Sequence, residues 1–458
     1  MTALAGLVTA CVAIVPLAVV PDLLDRFHVI KESLMRAEAL FGALLVVIAL
    51  SRVEERQSCL SRMRQAGLPV LHFIVIAGVV WTGITALLST HRGLSADSFV
   101  SVLTSALLFI AVWYAAPRIS LVAVDMLLPV VAINAALAAA QEFAIYDPFL
   151  HDDPELAQHL KATGLIGNPN VVGSFMALAA VIFAVAAASV RGFRRWLYLL
   201  GALIATASLL VSLTRTALFA MVAGLVLLAI GRSRRRAAAV VAALALVIGG
   251  GVVFRVPLMM RVLEVPKLAR EGGLELATSG RVAPALVAWE MFRDRPLTGV
   301  GPGAYRYGYT EYKTRVRQKY GAVIAGTLST TFGDAHNDHL QLLAEAGLPG
   351  YLLFAAFLVT LWVAVRRGNE DDVERASARP ASAGSASAGP GGLKPGGLKP
   401  TPHWDHDVRR QIARTLVVPL GGAFVVLALA QFPLHLAVTR HLLVTFAGLA
   451  LGWSRTWE

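Results

Sequence analysis

Pro169-Asn170-Val171-Val172-Gly173-Ser174-Phe175-Met176-Ala177-Leu178-Ala179-Ala180-Val181-Ile182-Phe183-Ala184-Val185-Ala186-Ala187-Ala188-Ser189-Val190 is an unbroken apolar run. A membrane-crossing helix needs roughly 20 such residues. Working outward from it, the same pattern recurs about twelve times, at 3–21, 34–50, 68–88, 98–116, 119–140, 169–190, 196–212, 214–231, 237–254, 345–365, 413–433 and 438–454. The whole chain agrees: its 458 residues are 57% hydrophobic and 15% charged. A soluble domain carries about 25% charged residues, and charges are expensive in hydrocarbon. The sequence therefore predicts an all-α polytopic membrane protein.

The formal net charge of +12 does not mark a nucleic-acid binder. Its basic residues fall in short clusters between apolar runs, as at Arg191, Arg194 and Arg195 and at Arg232, Arg234, Arg235 and Arg236. Such clusters orient helices by the positive-inside rule. Segments 51–67, 191–195, 232–236 and 366–412 are rich in Arg, whereas 22–33, 89–97, 141–168 and 434–437 are poor in Lys and Arg. With an even number of spans, both termini are expected in the cytoplasm. Cys11 lies in an apolar run and Cys59 in a basic loop, so no disulfide is expected between them. No positive residue precedes Val8-Thr9-Ala10-Cys11, and the apolar run continues to Val20, so 3–21 reads as a helix and not as a removed signal.

Two long segments interrupt the spans and divide the chain. Helices one to nine occupy 1–254, a loop of some ninety residues occupies 255–344, the tenth helix follows at 345–365, a cytoplasmic segment at 366–412, and the last two helices lie in 413–458. Within the cytoplasmic segment, 371–407 carries the tandem Pro390-Gly391-Gly392-Leu393-Lys394 and Pro395-Gly396-Gly397-Leu398-Lys399. That composition buries no core and reads as a disordered linker. The loop 255–344 falls on the opposite, extracytoplasmic face, because long loops translocate regardless of charge.

This loop carries the chemistry. After Ser279-Gly280-Arg281, the residues Val282, Leu286, Trp289 and Phe292 recur at helical spacing, with Pro284 in the first turn, which predicts an amphipathic helix. Arg295 to Gly303 is turn-rich but lacks a phosphate-loop lysine and a preceding strand, so it is not a nucleotide site. Aromatic and basic residues then interleave from Tyr305 to Tyr320. They suit stacking on sugar rings and holding diphosphates, and equally a basic helix skirting anionic headgroups.

The loop ends in Asp334-Ala335-His336-Asn337-Asp338-His339-Leu340-Gln341-Leu342-Leu343-Ala344-Glu345-Ala346-Gly347-Leu348-Pro349-Gly350. Asn337 or Asp338 is placed to cap a helix there. His336 and Glu345 lie where a lipid-borne substrate presents its headgroup, and a neutral imidazole suits general-base work. Asp334, His336, Asp338 and His339 also have ligand-type side chains, but no second His or Cys cluster lies in the loop, so no metal site is expected.

This segment resembles the signature of the O-antigen ligase and polymerase family, in which the large outer loop ends in His-Asn, then Leu, then Glu-x-Gly-x-x-Gly. Upstream, Gly167-Asn168-Pro169-Asn170 is similar to the family's Gly-Asn-Pro-Asn element, Ser212-Leu213-Thr214-Arg215 to its Ser-x-[ST]-Arg element, and Ser279-Gly280-Arg281 with Gly299-Val300-Gly301 to the start of its loop. The resemblance covers about 160 to 350, in order. It implies a GT-C-like, inverting glycosyltransferase without metal or cofactor, in the bacterial inner membrane with its active site facing the periplasm. The implied donor is a glycan on undecaprenyl diphosphate.

By the same resemblance His336 is the base and Arg215 and Arg281 hold the diphosphate; Asn168, Asn337, His339 and Glu345 are further candidates to support the site. His339 stands where the family commonly carries an aromatic residue. His336 is preferred as the base because it occupies the His-Asn position. The first reading of the activity is ligation to lipid A–core, the second polymerisation of lipid-linked repeat units, then protein O-glycosylation. A multi-pass transporter is the reading from another class, but no inverted repeat is visible and few charges lie inside the spans.

Overall fold

The computed structural model describes residues 2–21, 23, 25–52, 57, 68–149, 162–233, 256–321, 331–378 and 403–454. Among these there is helix and no strand. In chain order the helices are α1 (Thr2–Leu17), α2 (His28–Leu50), α3 (Leu68–Leu88), α4 (Arg92–Ala115), α5 (Val122–Asp125), α6 (Leu127–Glu142), α7 (Pro169–Ser189), α8 (Phe193–Val211) and α9 (Arg215–Ile230). The loop contributes α10 (Pro257–Leu263), α11 (Val265–Ala277), α12 (Val282–Asp294) and α13 (Tyr305–Tyr320), and the chain continues with α14 (Asp338–Ala378), α15 (His403–Ala428) and α16 (Ala437–Trp453).

Eight helices among the described residues are long and apolar enough to cross a membrane, and α1, α9 and α16 are shorter apolar helices. These eleven coincide with the spans read from the sequence, and the twelfth, 237–254, lies outside the described residues. The bundle turns apolar side chains outward as well as inward. Phe41, Phe73, Leu87 and Leu203 are all exposed on its surface, an apolar exterior that lipid would cover. The chain is a multi-pass membrane protein. At its centre lies α7, apolar on every face and buried along nearly its whole length, as expected of a helix enclosed by others. It packs against α8, α9 and α15. Its Gly173 lets Ser212 and Thr214 come so close that a Cβ there would stand 2.7 Å from both side chains.

Hydrogen bonds tie the connecting segments together at the ends of the bundle. At one end, Lys31 donates from Nζ to the carbonyls of Ala18 (2.6 Å), Phe27 (3.2 Å) and Leu165 (2.8 Å), and Ser89 donates to the carbonyl of Val300 (3.1 Å). These bonds gather the Lys/Arg-poor segments around the loop. At the other end, Arg409 donates to the carbonyls of Pro117 and Ile119, and Arg232 to that of Ala188.

Three sequence expectations need correction. In α12 the fully buried face is Ala283, Pro284, Val287, Ala288 and Met291; of the stripe Val282, Leu286, Trp289 and Phe292, Leu286 packs at its edge and Trp289 is exposed. Small alanines allow the close approach, and Val287 and Met291 fill the space between them. The interleaved tyrosines are also read differently. Tyr305, Tyr309 and Tyr312 are buried with Met291, Val316 and Ala335 in a small core of the loop's own, and Tyr305 donates to the carbonyl of Pro284 at 2.8 Å. Arg315 and Lys319 pair with Asp294 and Glu290 of α12. Lastly, helix replaces linker at both ends of 371–407. α14 runs to Ala378 and α15 starts at His403. The helix-breaking Pro/Gly/Ser composition begins only at Pro380, and 379–402 lie outside the described residues.

The loop is latched to the bundle at a break in α14. Gly347 has φ +67°, outside helical space. Backbone bonds run from Val300 N to Ala344 O (2.8 Å), from Gly301 N to Glu345 O (3.0 Å) and from Leu348 N to Pro296 O (2.8 Å). The carbonyl of Ala346, freed at the break, accepts from Trp81 Nε1 at 2.8 Å, which satisfies an otherwise orphaned buried group. Two motif glycines are explained by this contact. A Cβ on Gly299 would lie 2.4 Å from the Glu345 carbonyl carbon, and one on Gly347 2.1 Å from the Leu297 oxygen.

Candidate active site

Three sequence elements far apart in the chain converge where the loop meets the bundle. Asn168 caps α7, its side-chain oxygen accepting from Asn170 N at 2.8 Å. Thr214 donates to the carbonyl of Pro169 at 3.2 Å, so the Asn168-Pro169-Asn170 turn and the Ser212–Arg215 turn are one unit. Leu213 adopts φ +55° between them, which directs Arg215 out of the first turn of α9. Arg215 then reaches the third element, donating to Ser279 Oγ at 2.6 Å. Ser279 and Gly280 both have positive φ, so the chain turns sharply just before Arg281. Glu275 accepts from the backbone N–H groups of Val282 (3.1 Å) and Ala283 (3.2 Å), which fixes the start of α12 and with it Arg281.

Arg281 donates from Nη1 to the carbonyl of Thr278 at 3.2 Å, and its Nε is buried with no partner among the described residues. Burial and the neighbouring Arg215 charge both work against the Arg281 cation. A polyanion placed here would relieve both. His336 feels the same cluster. Burial pushes its imidazole down to about 4, the Arg281 charge pushes in the same direction, and Asp334 offsets only part. Its ring is therefore neutral at ordinary pH. Its Nδ1 is buried and unpartnered among the described residues.

His336 is held in an unusual conformation, with φ +51°. A left-handed residue other than glycine costs about 1–3 kcal/mol and persists where the surroundings impose it. Here the ring is flanked edge-on by Phe332 at 5.7 Å and Phe432 at 4.9 Å between centroids. Asn337 follows as the cap of α14, accepting from Leu340 N at 3.0 Å and donating to the carbonyl of Leu429 at 3.0 Å. Asp338 is buried and accepts from Leu434 N at 2.9 Å and His435 Nδ1 at 2.8 Å. Gln341 accepts from Ala335 N at 2.9 Å, which steadies the turn before His336.

The structure thus brings Arg215, Arg281 and His336 together and gives the supporting residues varied places. Asn168 and Asn337 act on backbone. Glu345 is buried beside His435 at 3.9 Å. His339 faces Tyr351, with Nδ1 3.4 Å from its hydroxyl, and makes no contact with His336. The ligand-type residues of the motif are likewise dispersed among separate partners, and among the described residues no group of three or more His, Cys, Asp and Glu could hold a metal ion.

Beside this cluster opens a cavity of about 1230 Å³. Glu32, Arg36, Arg306, Asp334, Glu345, His435 and Arg440 line its polar part, and Phe357, Leu361, Trp362, Leu420 and Phe424 its apolar part between α14 and α15. Phe432 belongs to its wall and also touches His336, so the imidazole stands one ring away from the cavity. Sequence reasoning missed His435, Phe432 and Arg440. Each is a single residue near the short turn before α16, with no local pattern to mark it.

The architecture and this site define a class: a helical, multi-pass membrane protein with a basic, imidazole-bearing site at the junction of bundle and long loop. Residues 200–355 match the family described as O-antigen ligase, a stretch that contains Arg215, Arg281, His336 and Glu345 and supports the O-antigen ligase and polymerase family for this chain. A comparison with curated proteins found no match.

Proposed function

We propose that this protein is a GT-C-like glycosyltransferase of the bacterial inner membrane, with both termini in the cytoplasm and its site facing the periplasm. It moves a glycan from undecaprenyl diphosphate to an acceptor hydroxyl, first of all on lipid A–core. The observation that carries this reading is the meeting of Arg215 and Arg281 beside a buried, neutral imidazole with a free nitrogen. The arginines hold the donor diphosphate through charge-assisted hydrogen bonds. The acceptor oxygen attacks the anomeric carbon from the opposite side while His336 takes its proton. The bond from the anomeric carbon to the diphosphate oxygen breaks, and its electron pair leaves on the diphosphate, where the arginine charges stabilise it. No step calls for a metal or cofactor. The large cavity with its polar mouth and apolar depth suits a lipid-borne substrate.

The test is the envelope-glycan profile of a deletion strain complemented with wild type or with His336→Ala. The expected result is loss of long-chain glycan from lipid A–core, its accumulation on undecaprenyl diphosphate, and restoration by wild type alone. Single repeat units in place of long chains, on either carrier, would make the protein a polymerase. An unchanged profile would remove both activities and leave protein glycosylation or transport.

A further inference from the structure

The turn between α15 and α16 is bound to the His336 segment by three successive residues of that segment. His336 packs on Phe432, Asn337 donates to Leu429 O, and Asp338 accepts from Leu434 N and His435 Nδ1. At the centre of this contact is His435. Asp338 Oδ1 stands 2.8 Å from its Nδ1, and Glu345 Oε2 lies 3.9 Å from its Nε2. Its side chain is 31% exposed, an area that opens on the cavity. Both carboxylates come from α14, one on each side of the ring, and Arg440 of α16, which lines the same cavity, pairs with Glu32 of α2 and also feels Asp338. Gln341, bonded to Glu345 at 3.3 Å, carries the contact on to Asp334.

We infer that His435 is a positioning residue for this reaction: gripped between Asp338 and Glu345, it ties the α15–α16 turn to the start of α14 and so fixes Phe432 against the His336 ring. The inference rests on the assignment of His336 above. The left-handed backbone at His336 needs such a restraint: within its own turn Phe332 flanks the ring at 5.7 Å, and Phe432, the nearer of the two at 4.9 Å, comes from outside that turn. The clamp works as a cation between two anions. Burial works against the imidazolium, but the Asp338 hydrogen bond and the two carboxylate charges outweigh it and hold its pKa well above the ordinary imidazole value of 6.5. A raised histidine keeps its contribution below that ordinary value and loses it as pH rises through the shifted one. The clamp therefore weakens on the alkaline side, opposite to the acidic limb set by His336.

The experiment is steady-state kinetics of the full chain in lipid nanodiscs, with undecaprenyl-diphosphate-linked glycan and lipid A–core, across pH. His435→Ala is expected to lower kcat by on the order of 10- to 100-fold, the scale of a small misplacement of the base, with donor KM unchanged within about twofold. His435→Gln, which keeps a donor for Asp338 without a charge, should recover part of the rate and lose the alkaline limb. Asp338→Asn should move that limb to lower pH and leave the acidic limb in place. A kcat for His435→Ala within about twofold of wild type, or an alkaline limb that Asp338→Asn does not move, overturns the inference. If the clamp variants do not fold, Phe432→Leu decides: it leaves the ion pair whole and should still lower kcat, and a wild-type rate sinks the proposal. A wild-type rate for His336→Ala, by contrast, marks the failure of the base assignment itself.

Discussion

His336→Ala is expected to lower the rate of glycan transfer by roughly 10²- to 10⁴-fold, the usual contribution of a positioned general base. The protein should still reach the membrane at wild-type level, because the imidazole nitrogen Nδ1 has no partner among the described residues and its removal orphans no other group. The pH dependence gives a finer check. In the free enzyme the base is lost as His336 protonates, so kcat/KM should fall as pH drops through about 4. Part of that depression comes from Arg281. Once an anionic diphosphate neutralises the guanidinium, the imidazole becomes a stronger base, and the acidic limb of kcat should lie at higher pH than that of kcat/KM. Coincident limbs would show that donor binding does not tune the base.

The second large effect is expected at the arginines. Arg215→Ala or Arg281→Ala should each slow the chemical step by roughly 10²- to 10³-fold, the cost of removing one group that stabilises developing negative charge. Both should also weaken donor binding. The two losses should not multiply in the double variant, because both guanidinium groups act on one diphosphate. Arg281→Lys should rescue poorly, since an ammonium lacks the planar fork that grips phosphate oxygens. Single-turnover transfer with titrated donor separates binding from chemistry. Unchanged donor affinity in Arg215→Ala would remove its diphosphate role, and a fully multiplicative double variant would place the arginines on different groups.

Much of this architecture is legible in the sequence because the bilayer imposes a coarse and local rule. A run such as 169–190 has one stable outcome in hydrocarbon, where every backbone group must be satisfied within the segment. Lys/Arg-poor connections do touch one another and the long loop, for Lys31 bonds the carbonyl of Leu165 and Ser89 that of Val300. The short motifs are legible for a similar reason. Gly280, Gly299 and Gly347 hold backbone conformations that few other residues tolerate, so glycine marks these turns in the sequence.

What escaped the sequence depends on partners distant in the chain. Tyr305, Tyr309 and Tyr312 read as free aromatic surface, yet α12 and the turn before His336 cover them. In α12 two overlapping stripes are apolar, and periodicity alone does not say which one is packed. His435 and Phe432 gain their places only because the α15–α16 turn folds back on Asp338 and His336, a contact across nearly one hundred residues. The end of α14 extends past the expected boundary because charged helix formers continue it beyond the apolar stretch.

The most direct measurement is reconstituted transfer. The purified chain in lipid nanodiscs is given undecaprenyl-diphosphate-linked glycan and lipid A–core, and both products and the anomeric configuration of the new bond are recorded. The expected result is glycan-extended lipid A–core and free undecaprenyl diphosphate in equal amounts, with inverted configuration and no product from His336→Ala. Retained configuration, or wild-type turnover by His336→Ala, would contradict direct attack assisted by this histidine.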